Sequence, residues 1–170
     1  DRNAAATLMS EAGMGAYEHE IVSLDAGWNR DTADVIAAQL RDAGFNVKRA
    51  VLPGPTYWTN WDKFPFSLTE WIMRPLGIQV LALAYKSGVA WNETSFSNAE
   101  FDETLGRAVT IADVDERREL TRRLEEILQE QGVIIQPFWR SLFRHVKSTV
   151  KNAEMHPTFE IHVDSIWMES

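Results

Sequence analysis

Between residues 19 and 52 the sequence reads strand, helix, strand, and this order constrains the fold more than any other feature of the chain. His19–Leu24 carries Ile21, Val22 and Leu24 and ends near Asp25-Ala26-Gly27. From Thr32 to Ala43, Ala33, Ile36, Ala37 and Leu40 fall on one helical face, with Asp31 placed to cap the helix and Gly44 to close it. Phe45–Leu52 is a second strand, broken by Pro53 and Pro55. Two strands joined by one helix pair in parallel, because the helix must cross a face of the sheet and bury its apolar stripe there. The spacing therefore predicts an α/β chain in which Ala33, Ile36, Ala37 and Leu40 face a sheet that contains Val47 and Val51.

The remaining elements are read in the same way. Ala4–Ala12 has helical apolar spacing and stops at Gly13. Thr56–Pro75 gathers Tyr57, Trp58, Trp61, Phe64, Phe66 and Trp71 between prolines, and Phe66–Trp71 is expected as a third strand. Leu76–Tyr85 is apolar throughout; its length fits a buried helix or a strand, and we assign helix. A polar loop from Ser87 to Ser97 carries Trp91, Asn92 and Phe96. Ser97 and Glu100 have capping-box spacing and open a helix with Phe101, Leu105, Ala108 and Val109 inward. Asp115–Gln131 forms a longer helix that buries Leu120, Leu124, Ile127 and Leu128, while its other face is charged and solvated. Val133–Trp139 is expected as a strand interrupted by Pro137, with Leu142–Val146 returning beside it. The tail from Lys147 to Ser170 has little pattern.

Composition removes several classes of function. With 17 Lys+Arg against 25 Asp+Glu, the formal charge is −8, which disfavours nucleic acid and anionic lipid as partners. The chain holds no cysteine, so disulfides, thiolate metal sites and cysteine nucleophiles are excluded. No apolar run approaches the roughly 20 residues needed to span a bilayer, and Asp1-Arg2-Asn3-Ala4-Ala5-Ala6 lacks the pattern of a signal peptide. A helical pattern beginning this close to the first residue reads as a piece of a longer protein. His19, His145, His156 and His162 show no ligand spacing and read as ordinary surface histidines, so no metal and no cofactor is expected. GxSxG, GxGxxG and phosphate-loop motifs are all missing, which leaves catalysis without support.

Aromatic density is the positive signal. Seven tryptophans accompany three tyrosines and eight phenylalanines. Such rings serve either a core or a pocket for partly polar ligands. Trp71 is the strongest pocket candidate, because it ends a predicted strand and is followed by Arg74-Pro75. Tyr57, Trp61, Trp91 and Asn92 complete the candidate ligand-binding set.

The order of elements, with AAATLMSEAG (Ala4–Gly13), DVIAAQLRDAGFNVKRAVL (Asp34–Leu52), the strand ending in Trp71, SNAEFD (Ser97–Asp102), the Arg117–Gln131 helix and VIIQPFW (Val133–Trp139), resembles family 5 of the extracytoplasmic solute-binding proteins. This is the peptide/nickel class that serves ATP-binding-cassette importers. The resemblance implies an α/β lobe like those of periplasmic binding proteins, with a mixed sheet flanked by helices. Residues 1–147 would form the C-terminal substrate-binding lobe, and residues 148–170 a tail returning to a missing N-terminal lobe. It further implies a non-enzymatic protein outside the cytoplasm that holds a small solute between two lobes and delivers it to permease subunits in the membrane. In amine-binding members an acidic residue three positions after the cleft tryptophan receives the peptide N-terminus. Here that position is Arg74, a reversal of charge that favours a carboxylate, phosphate or sugar-acid group on the solute. Arg74 could instead pair with a nearby carboxylate such as Glu70. An α/β enzyme with an arginine anion clamp, and a protein-interaction lobe without a small ligand, are the alternatives.

Overall fold

The computed structural model describes residues 1–169, which divide into two compact units, Asp1–Glu70 and Trp71 onward. No helix among the described residues is long and apolar enough to cross a membrane.

The first unit contains the expected crossover. Strands β1 (Glu18–Leu24) and β2 (Asn46–Leu52) pair in parallel, in register from Glu18 opposite Asn46 to Leu24 opposite Leu52. Helix α1 (Arg2–Glu11) precedes them, capped by the Asp1 carboxylate, and buries none of its residues. Helix α2 (Gly27–Asp42) connects the strands and starts five residues before the expected Thr32. Asp31 is therefore inside the helix and caps nothing; the N-cap is Ala26, whose extended backbone supplies the carbonyl that accepts the Arg30 N–H. No side-chain signal marks that start.

The apolar stripe of α2 lies as predicted. Ala33 and Ala37 are fully buried with Ile21 and Val47, and Ile36, Leu40, Phe45, Phe66 and Leu68 pack around them. Leu40 is only half-buried, and Val51 is exposed rather than covered by the helix. A polar clamp also joins the helix to the sheet. The Arg49 guanidinium donates to Asp34 Oδ1 on α2 at 2.8 Å, to the Ile21 carbonyl and to Ser23 Oγ at 2.7 Å, tying both strands to the helix. A fork of five fixed donors suits such a three-way joint.

The expected strand at 66–71 shrinks to a single parallel bridge between Ser67 and Val22, flanked by hydrogen bonds from Val22 to Phe66 and from Leu68 to Val22. The ladder stops there because the Leu68 carbonyl accepts from the Tyr57 hydroxyl at 2.6 Å rather than from a neighbouring strand. Tyr57 belongs to α3 (Gly54–Asn60), a short helix entered through Pro53 and carrying Pro55 in its first turn, where a missing N–H costs nothing.

The second unit is mostly helical. Helices α4 (Gly77–Ala84), α5 (Ala99–Ala108) and α6 (Val114–Glu130) enclose a core of Ile78, Ala84, Tyr85, Phe101, Leu105, Ala108, Leu124, Ile127 and Leu128. The Leu76–Tyr85 run is thus a helix. Helix α5 is capped by Asn98, whose Oδ1 accepts the Phe101 N–H at 3.0 Å, while Ser97 bonds the Ser87 hydroxyl. Val109, expected inward, is the C-terminal cap residue and is exposed. Asp113 caps α6, accepting the Glu116 N–H at 2.8 Å.

The strands expected at 133–139 and 142–146 do not form. Pro137 lacks a ladder donor, and no described segment pairs with either stretch. The antiparallel pairing lies later, in the two-residue strands β3 (Val150–Lys151) and β4 (Trp167–Met168).

Helices α5 and α6 are also linked through charge. Arg123 Nε donates to Glu100 Oε1 at 2.7 Å, and this hydrogen bond, reinforced by the guanidinium charge, holds the Glu100 carboxyl below its ordinary pKa. A depressed folded-state pKa contributes stability that is present above the unfolded value and lost as pH falls through the folded one. Glu100→Gln should therefore lower the melting temperature slightly at neutral pH, and the difference from the parent should vanish below the carboxylate range. A difference independent of pH would show that the carboxylate charge is irrelevant.

Candidate functional site

The second unit opens with an irregular segment, residues 71–76, in which Pro75 prevents Arg74 from adopting helical geometry. Trp71 packs its ring against the helical core while remaining partly exposed. Its indole N–H donates to Glu93 Oε1 at 3.0 Å, and its ring lies 6.0 Å from that of Trp91, tilted by 50°. Trp91 is half exposed and also walls an apolar hollow of about 240 Å³ with Ala82, Leu83, Val89 and Ala90.

The loop that presents Trp91 and Glu93 is organised by Asn92. Its Nδ2 donates to the Lys86 and Phe96 carbonyls at 3.2 and 2.7 Å, and its Oδ1 accepts from Phe96 N and Thr94 Oγ1 at 3.2 and 3.1 Å. These four bonds use the whole hydrogen-bonding capacity of the amide. Asn92 is thus a residue that shapes the loop, not one with donors left for a ligand. The turn also needs left-handed backbone at Gly88 (φ +74°) and Ser95 (φ +54°), and Asp102 on α5 fixes its start by accepting the Ser87 N–H at 3.0 Å.

The charged side chains among these candidates are Glu93 and Arg74, and the Tyr85 hydroxyl stays neutral at ordinary pH. The Tyr85 hydroxyl is pushed well above its usual pKa, first by burial and then by the nearby Glu93 carboxylate. Arg74 is half-buried, and its Nη1 donates to the Ile72 carbonyl at 2.8 Å and the Met73 carbonyl at 3.4 Å. Neither Nε nor Nη2 has a protein partner, and Arg74 makes no ion pair, among the described residues. The ion pair with a neighbouring carboxylate weighed above is therefore not formed. A guanidinium anchored at one nitrogen, with its other edge unoccupied, can bind a planar or tetrahedral anion through two parallel hydrogen bonds.

Two candidates lie in the first unit. Tyr57 is fully buried, with its hydroxyl bound to the Leu68 carbonyl and its ring against Trp58 and Phe64 at centroid distances of 5.1 and 5.8 Å. It has no surface to offer a ligand and is a core residue. Trp61 caps the C-terminus of α3 and is half-buried. The fold thus gathers Trp71 and Trp91 and adds Glu93, which sequence reasoning missed: a glutamate in a polar loop has no pattern that distinguishes it from other surface carboxylates.

No family model and no curated protein matches the sequence. Solved structures do match. The pheromone receptor PrgZ, described by its mode of peptide binding, superposes with a TM-score of 0.76 at 19% identity over 100% of this chain and 34% of its own. DppA of Helicobacter pylori, an ABC transporter-associated periplasmic binding protein in complex with the peptide STSA, gives 0.73 at 19% identity over 100% of this chain and 35% of its own. NikZ of Campylobacter jejuni, in complex with Ni(L-His), gives 0.67 at 18% identity over 78% of this chain and 31% of its own. The chain has the α/β fold of part of the peptide/nickel class of solute-binding proteins, and it spans about a third of their length.

Proposed function

We propose that the chain is the C-terminal lobe of a substrate-binding protein of an ATP-binding-cassette importer. It captures a small anionic solute at Trp71, Trp91 and Arg74, outside the cytoplasm, and delivers it to a membrane permease without altering it. The observation that carries the anionic reading is the guanidinium of Arg74, bound at one nitrogen by its own loop and unpaired by any carboxylate among the described residues. Two partly exposed indoles in the same unit, Trp71 three residues before Arg74 and Trp91 packed against Trp71, supply apolar area and stacking faces. The shared fold with peptide- and nickel-complex-binding proteins supports the solute-binding role.

In this reading residues 1–147 form the lobe and residues 148–170 return to an N-terminal lobe. Apolar exposure supports that arrangement: Trp139 is 89% exposed, and Phe143, Val163 and Met168 are each above 70%. Such a density of bare apolar side chains marks a surface meant to be covered. Capture between lobes would proceed by hinge closure, and the closed form would be the one recognised by the permease.

Thermal-shift measurements on the full-length protein against peptides, dicarboxylates, sugar acids and sugar phosphates test this. An anionic compound should raise the melting temperature, with a shift that grows with the logarithm of its concentration above Kd. Stabilisation by cationic or neutral compounds alone would overturn the assignment of solute class.

A further inference from the structure

We propose that His156, Glu160 and His162, in the C-terminal tail, form a binding site for one divalent transition-metal ion of the zinc, nickel and cobalt type. The sequence spacing treats these residues as unrelated surface groups; the fold brings them together. One ligating atom from each lies within 4.8 Å of the others. Glu160 stands between the two imidazoles, with His162 Nε2 3.5 Å from Oε2 and His156 Nδ1 4.0 Å from Oε1. The imidazole centroids are 5.6 Å apart and their planes cross at 77°, so the rings converge without stacking.

The backbone around the cluster is built to hold this convergence. Phe159 has φ +63°, a left-handed conformation rare for a bulky side chain, and its N–H donates to the His156 carbonyl at 3.0 Å. That tight turn reverses the chain between the two histidines. Backbone strain of this kind persists only where surrounding contacts enforce it. Here Arg144 spans the segment, donating to the Ala153, Glu154 and Glu160 carbonyls at 3.3, 3.3 and 3.4 Å. Ser165 fixes the other end, its N–H and hydroxyl donating to the His162 carbonyl at 3.0 and 2.8 Å, and Asn152 holds Ser165 in turn. The cluster opens on a hollow of about 370 Å³, large enough for an ion with its remaining waters.

The donor set selects the ion. Two neutral imidazoles and one carboxylate suit borderline divalent metals, whereas calcium and magnesium require oxygen ligands. Bond lengths of about 2.0–2.2 Å place donors around one ion at roughly 3–3.5 Å from each other. The observed separations, up to 4.8 Å, are wider than this, so the half-exposed side chains must draw together when the ion binds. Thr158 positions the carboxylate, its hydroxyl donating to Glu160 Oε1 at 2.9 Å; the same hydroxyl and the Thr158 N–H lie 2.8 and 3.3 Å from His156 Nδ1, contacts that an ion bound at Nδ1 displaces. The site shares no residue with Trp71, Trp91 or Arg74, so it stands or falls independently of the solute reading.

The test is calorimetric titration of the tag-free, full-length protein with zinc chloride, beside His156→Ala, His162→Ala, His19→Ala and His145→Ala variants. A zinc-binding event that weakens about tenfold or more in each of the first two variants and is unchanged in the other two is expected. Cobalt(II) titration followed by NMR gives a readout that needs no variant: the imidazole resonances of His156 and His162 should broaden before those of His19 and His145. Absence of zinc binding, binding indifferent to both substitutions, or equal broadening of all four imidazoles would overturn the site.

Discussion

Replacing Phe101 with alanine should destabilise the second unit by about 3–5 kcal/mol, the range for removing a fully buried aromatic ring. Phe101 is 0% exposed and sits in the first turn of α5, where its N–H is held by the Asn98 cap. Its ring meets that of Phe96 edge-on at 5.3 Å and belongs to the cluster that joins α4, α5 and α6. Truncation removes the ring's contacts and leaves a cavity among α4, α5 and α6. Val109→Ala, at the exposed end of the same helix, should change stability by less than about 0.5 kcal/mol. Urea denaturation followed by tryptophan fluorescence separates the two. A loss below about 1 kcal/mol for Phe101→Ala would show that the helices do not depend on a shared core.

Arg74→Ala in the full-length protein should weaken solute binding by roughly thirtyfold or more, because a desolvated, hydrogen-bonded ion pair that loses one partner forfeits about 2–5 kcal/mol. Stability should change little by comparison, since the Arg74 side chain is bound only to the carbonyls of Ile72 and Met73 in its own loop. Arg74→Lys should recover only part of the affinity: an ammonium keeps the charge but not the paired donors. Trp71→Ala should also weaken binding, but with less dependence on the charge of the solute, because what it removes is stacking and apolar area. Unchanged affinity in Arg74→Ala would return the residue to a purely local role in its loop.

The parts of this fold that were legible in the sequence are those with a local periodic cause. The crossover from β1 through α2 to β2 follows from alternating strand and helix patterns, and α5 and α6 from apolar faces with a charged side opposite. The failures have long-range causes. Residues 66–71 and 133–139 have strand-like composition, but pairing needs a partner, and Tyr57 ends the first ladder at Leu68 while the second finds none among the described residues. The start of α2 has no mark in the sequence because Ala26 caps it through backbone alone.

The candidate site was legible only where geometry follows from neighbours in sequence. Trp71 and Arg74 stand three apart beside a proline, which is why both can be named as candidates from the chain alone. Glu93 reaches Trp71 from 22 residues away, and His156 reaches His162 only because Phe159 turns backward. Tyr57 and Asn92 were over-read for a related reason: composition shows that a ring or an amide is present, but not whether its hydroxyl or NH₂ is already spent on a carbonyl.

Mass spectrometry of small molecules released from the freshly purified full-length protein bears most directly on the solute-binding reading. One solute per protein molecule is expected, carrying a carboxylate, phosphate or sugar-acid group, and it should be lost from the Arg74→Ala variant while the fold is retained. A bound solute that is neutral or cationic, or one retained undiminished by Arg74→Ala, would contradict the assignment of this lobe to the capture of an anion.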